Sequence, residues 1–180
     1  MCGRFVQKTP LGEIQMLFET AGAVPNMPAR YNAAPTDQLA VVRFNPQTRT
    51  RALDLLRWGL VPLWAKDPSF GPKCINARSE TVATNKIFRD AFERRRCLVP
   101  ADAFYEWRKL PGAKPVPYAM ALRKGMFAFA GLWERWRNPS ATPATARCSP
   151  PTTHRSRNWR GVGRRSSRLR SPAGSPTRRS

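Results

Sequence analysis

CLVPADAFYEWR (residues 97–108) reads as a β-strand, because Leu98, Val99, Phe104, Tyr105 and Trp107 are residue types that suit a pleated, half-buried surface. Two later stretches read the same way, VPYAMALR (116–123) and MFAFAGLWERW (126–136). Upstream, QLAVVRF (38–44) and TRALDLLRW (50–58) pair about the turn Asn45–Pro46–Gln47–Thr48. TPLGEIQMLFETAG (9–22) predicts a helix: Thr9 caps it, Pro10 suits its first turn and Gly22 its stop. Leu11, Ile14, Leu17 and Phe18 form its apolar face. Residues 75–96 begin extended and turn helical, with Ile87, Phe88, Ala91 and Phe92 on one side, while 24–36 and 58–73 read as loops. Strands interspersed with two helices predict an α+β fold, a mixed or antiparallel, barrel-like β core with flanking helices.

From about Asn138 the chain changes to Ser, Pro, Thr, Ala, Gly and Arg, with scarcely an apolar residue. Such a segment cannot bury enough surface to offset its ordering entropy, so 1–137 is expected to be the domain and 138–180 a disordered tail. Two origins fit this composition. One is a Ser/Arg-rich tail that binds nucleic acid. The other, preferred because the break falls just after a strand-like segment, is a shifted reading frame of a GC-rich gene.

The net charge is +21, from 32 Lys+Arg against 11 Asp+Glu, a footprint for polyanions and nucleic acid above all. The four cysteines, Cys2, Cys74, Cys97 and Cys148, are not spaced as metal ligands, and the single histidine, His154, lies in the tail. No metal and no cofactor are expected. No long apolar run suggests a membrane segment, so a reduced cytoplasmic setting without disulfides is expected.

The N-terminal MCGRFV raises a separate point. Removal of Met1 would leave a thiol and a free α-amine on one residue, with ordinary pKa values of about 8.5 and about 7.7–8.0. An aldehyde meeting that pair can form an imine with the nitrogen, and the sulfur can then close a thiazolidine ring.

CGRF (2–5), WGLVPLW (58–64), INARSET (75–81) and CLVPADAFYEW (97–107) stand together in this order. Jointly they resemble the SRAP family, the SOS response-associated peptidases or abasic-site processing proteins, over Cys2 to about Trp136. The resemblance implies binding of single-stranded DNA and a covalent crosslink to the aldehyde of an abasic site. It also implies self-processing peptidase activity and a lyase activity, in a monomer at the nucleoid. Cys2 matches the nucleophile. Asn76 matches the residue whose amide holds the cysteine and the sugar, and Glu106 the acid/base of imine formation. Arg4 and Arg78 match positions that grip the DNA backbone, and Gly3 lets it approach. Trp64 and Trp107 are aromatic candidates for stacking on bases. Trp58, directly after a predicted strand, reads at least as well as core.

One family element has no match here. The family's His-x-Arg-Met-Pro histidine shuttles a proton, but His154 stands in Thr-His-Arg-Ser-Arg and is not assigned that role. Two other readings therefore stand beside the enzyme: a non-catalytic single-strand binder and an inactive, frameshifted fragment.

Overall fold

A computed structural model describes residues 3–108, 111–136, 145–149 and 151–152. In chain order the elements are β1 (Phe5–Gln7), α1 (Leu11–Phe18), β2 (Thr20–Ala21), β3 (Arg30–Ala33), β4 (Gln38–Asn45) and β5 (Thr50–Trp58). A 3-10 turn (Pro68–Lys73), β6 (Ala77–Arg78), α2 (Arg89–Arg94), β7 (Arg96–Ala101) and β8 (Ala103–Arg108) follow. β9 (Val116–Ala121), β10 (Phe127–Trp136), β11 (Thr145–Ser149) and β12 (Pro151–Thr152) complete them.

The stretch 97–108 is two strands, and they belong to different sheets. β7 lies in a six-stranded sheet of order β11-β10-β7-β4-β5-β2, and β8 in a four-stranded sheet of order β3-β1-β8-β9. Asp102 is the corner. Its N–H donates to Val6 O at 2.9 Å, and its carboxylate accepts from Lys8 N, Thr9 N and the Thr9 hydroxyl. One residue thus ends one sheet, starts the other and ties both to the exit of β1. The apolar pattern runs through Asp102 without a break, so the sequence reads as a single strand.

In the larger sheet β10, β7, β4 and β5 are antiparallel neighbours. β11 pairs antiparallel with β10 over Leu132↔Ser149 to Trp136↔Thr145, and parallel with β5 at Arg147↔Arg57 and Cys148↔Trp58. The sheet curls in a barrel-like way. It is not a closed barrel: β11 meets only the Arg57–Trp58 end of β5, and β2 lies along Arg51–Ala52. The fold is α+β, with two main sheets and few helices. Within 138–180, read as a disordered tail, β11 and β12 are strands, because the edges of β10, β5 and β6 offer backbone groups that pair with almost any sequence. The rest of that segment lies outside the described residues.

Phe5, Val41, Leu56, Trp58, Val99 and Phe129 are buried between the sheets. Each such side chain stabilises the fold by about 1.5–3 kcal/mol. The Phe5 ring lies 5.2 Å from Trp58 and 5.7 Å from Phe129. Gln7 is buried but saturated: its Nε2 donates to Ala40 O and Pro100 O, and its Oε1 accepts from Ala40 N. It clamps β1 to β4 and β7.

α1 is shorter than the sequence predicts. It stops at Phe18, with Glu19 in the left-handed conformation at φ 51° and Pro10, not Thr9, at its N-cap. Thr20 pairs with Arg51 of β5, so the chain must leave the helix before Gly22. Leu11 and Ile14 pack on Ala40, Val42 and Leu53, but Leu17 is exposed. The 24–36 loop contains β3, which pairs with the free edge of β1. In the 58–73 loop Gly59 has φ 121°, and a Cβ there would sit 2.5 Å from Gly71 O, so only glycine fits. No helix among the described residues is long and apolar enough to cross a membrane.

Candidate active site

The site is built on β1 and β8. Their antiparallel register sets Phe5 opposite Phe104 and Val6 opposite Ala103. Tyr105 N–H donates to Arg4 O at 2.9 Å. Carried one residue further, the register sets Gly3 opposite Glu106. Side chains alternate across a strand, so Gly3 and Glu106 share the face of Phe5 and Phe104, which packs on the central core. Glu106 is half-buried there and pairs across β8–β9 with Tyr118. Cys2, the residue before Gly3, lies outside the described residues, as does His154.

Asn76 arrives from the loop before β6. Its neighbour Ile75 packs against the same core cluster as Phe104, and Ile75 O accepts the Trp58 Nε1–H at 2.8 Å. Asn76 is half-buried, between Ile75 and the fully buried Ala77. The segments carrying Gly3, Asn76 and Glu106 therefore meet on one cluster. Trp58 is wholly buried at its centre, so its role is packing.

Other candidates fall elsewhere. Arg4 is on the opposite face of the small sheet, where its Nη1 donates to Asn32 Oδ1 at 3.1 Å. Tyr105 and Trp107 share that outer face, their rings 6.4 Å apart, with Trp107 exposed and the Tyr105 hydroxyl donating to Tyr31 O. The pleat of β8 thus separates Glu106 from both aromatic neighbours. Arg78 is exposed on β6. Trp64 is exposed in the loop and stands edge-on to Phe70 at 5.3 Å. Asn32 had no sequence signal, standing in none of the four motifs, and Asp102, though inside CLVPADAFYEW, was hidden because the motif reads as one strand.

The described thiols are poor nucleophiles. Cys74 and Cys97 are buried, and burial pushes the Cys74 thiol up, with Lys73 opposing weakly. No cluster of three His, Cys, Asp or Glu capable of holding a metal occurs among the described residues.

The family model for SOS response associated peptidase (SRAP) matches residues 1–168. The abasic site processing protein YoqW of Bacillus subtilis is 39% identical over 146 residues, covering 79% of this chain and 64% of its own. The abasic site processing protein YedK of Escherichia coli is 34% identical over 123 residues, covering 66% and 52%. The chain thus spans a little under two thirds of the first of these relatives and about half of the second. Among solved structures, a protein from Bacteroides thetaiotaomicron superposes with a TM-score of 0.72 at 19% identity, over 82% of this chain and 66% of its own. One from Bordetella bronchiseptica superposes with a TM-score of 0.68 at 26% identity, over 82% and 70%. The four motifs, the sheet arrangement and the matched length agree: this chain belongs to the SRAP family.

Proposed function

We propose that this protein processes abasic sites in single-stranded DNA by closing a thiazolidine ring on the exposed aldehyde with Cys2. The observation that carries the reading is the β1–β8 register, which directs the N-terminal segment along the strand bearing Glu106. After Met1 is removed, by the protein itself in this reading, the Cys2 α-amine adds to the sugar C1′ and water leaves, giving an imine. The thiolate then adds to the same carbon. A C–S bond forms, the C=N π pair moves to nitrogen, and nitrogen takes up the thiol proton. One water is lost overall and nothing is oxidised.

Glu106 moves the protons of carbinolamine formation and dehydration, and the Asn76 amide holds the sugar against the cysteine. Arg4 and Arg78 hold flanking phosphates, with Gly3 leaving room for the backbone. The exposed rings of Trp64 and Trp107 favour stacking on bases, worth roughly 1–3 kcal/mol per base without sequence preference. In this reading the protein acts as a monomer in the cytoplasm, at the nucleoid, and a lyase step starts from the imine, C2′ losing a proton as the C3′–O bond breaks and the phosphate departs.

The test is a denaturing gel of the protein with an abasic oligonucleotide. A heat-stable band is expected from the native sequence. Cys2→Ser should give none, and neither should a variant with one alanine inserted between Met1 and Cys2. Cys74 and Cys97 should rescue neither, lacking an α-amine and being buried. A stable band from the insertion variant, with Met1 and the alanine still attached by mass spectrometry, would refute the mechanism.

A further inference from the structure

The outer face of the larger sheet carries a second feature, on β4, β5 and β7. In β5, Arg51 stands directly across from Phe44 of β4. The β4–β7 register, Val42↔Leu98 and Arg43↔Cys97, sets Arg96 on the other flank of Phe44 when carried one residue on. Neighbouring strands are about 4.8 Å apart, so two arginines stand astride one aromatic ring with backbones about 10 Å apart. The adjoining row is apolar, with Val42 between Leu53 and Leu98. α1 covers part of that row but ends too soon to cover Phe44, which is 55% exposed, while Leu17 overhangs at 63%. The result is a groove of about 390 Å³.

The arginines are placed to receive carboxylates. Arg96 is fixed by its Nε–H to Phe92 O and by stacking 4.7 Å over the Phe92 ring. Among the described residues it has no carboxylate partner. Arg51 donates to Phe18 O at 3.0 Å and reaches the exposed Glu19 carboxylate at 3.4 Å, so this end of the groove already accommodates one acid.

We infer that this groove docks a short acidic segment of a partner protein, with an apolar side chain seated between Leu17 and Phe44 and carboxylates on Arg51 and Arg96. Charge complementarity and an aliphatic lining argue for this occupant together. A nucleic-acid strand would use the arginines but would gain little from Leu17, Val42 and Leu98. An extended chain advances about 3.3 Å per residue and repeats its face every second residue, so two acids about four positions apart, with an apolar side chain midway, come within reach of the two long arginine side chains.

The probe is a fluorescein-labelled peptide made of two Asp-Leu-Phe-Asp repeats, titrated with the full chain by fluorescence anisotropy. Saturable binding is expected, at least tenfold weaker for the peptide with Asn in place of Asp. The Arg51→Glu/Arg96→Glu pair and Phe44→Ala should each weaken it at least tenfold, while Phe44→Ala keeps its affinity for an unlabelled single-stranded oligonucleotide within twofold. If the charge-reversed pair fails to fold by circular dichroism, Phe44→Ala decides alone. Absence of peptide binding, equal binding of the Asn peptide, or an equal loss of oligonucleotide binding in Phe44→Ala would each overturn the proposal. The last outcome would make the face a general polyanion grip.

Discussion

Gly59 shows how narrowly a single position can be specified. Its φ of 121° disfavours any Cβ, and the atom that a Cβ would strike, Gly71 O, is backbone and cannot rotate away. Gly59→Ala is therefore expected to cost at least about 2 kcal/mol, a fall of roughly 5–10 °C in thermal midpoint by circular dichroism. An unchanged midpoint would mean that the 58–73 loop is free to rearrange. The motif WGLVPLW was legible in the sequence, but this contact was not, because its partner lies twelve residues along at a second glycine. Trp58 is similar. Its type and place after a strand pointed to the core, while its indole bond to Ile75 O, which holds the Asn76 loop in place, depends on tertiary packing.

Among elements, those with strong alternation or long apolar runs were legible, and β4, β5, β9 and β10 fall where the sequence puts them. β3 and β11 were not, since their own residues carry little β preference and their pairing comes from the edges they meet. The corner between β7 and β8 was hidden for the opposite reason, an apolar pattern that never pauses. That corner makes a direct prediction. Asp102→Ala removes the acceptor of three donors and should cost about 2 kcal/mol, whereas Asp102→Asn keeps one acceptor oxygen and should lose less. Thermal melts of the two variants rank them, and the reverse order would contradict the role given to the carboxylate. The candidate site was legible as a set of motifs. Its division into an inner face with Glu106 and an outer face with Arg4, Tyr105 and Trp107 was not, because the register of β1 on β8 decides it.

Across the whole molecule, Glu134 couples stability to pH. It is buried on β10, where its Oε2 accepts from Arg95 Nη2 at 2.8 Å and its Oε1 from Arg135 N. Burial raises its pKa above the ordinary 4.5, outweighing the Arg135 amide and Arg95. A carboxyl with a raised folded-state pKa binds its proton more tightly when folded. Its contribution is thus fully present below about pH 4.5 and is lost as pH rises through the folded value. Stability of the native chain relative to Glu134→Gln should accordingly fall as pH increases from about 4.5 toward neutrality. Urea titrations across that range measure it, and a difference that stays flat or rises would show that Arg95 outweighs burial.

The pairing of β1 with β8 also fixes an order of events during synthesis. The N-terminal residues leave the ribosome first, but the strand that receives them ends at Arg108. At about 5–20 residues per second, some 5–20 seconds pass before that strand exists. Throughout that interval β1 can pair only with β3, and the strand that carries Glu106 does not yet exist beside it. Emergence of the N-terminal segment and completion of the β1–β8 pair are thereby separated in time by the topology itself.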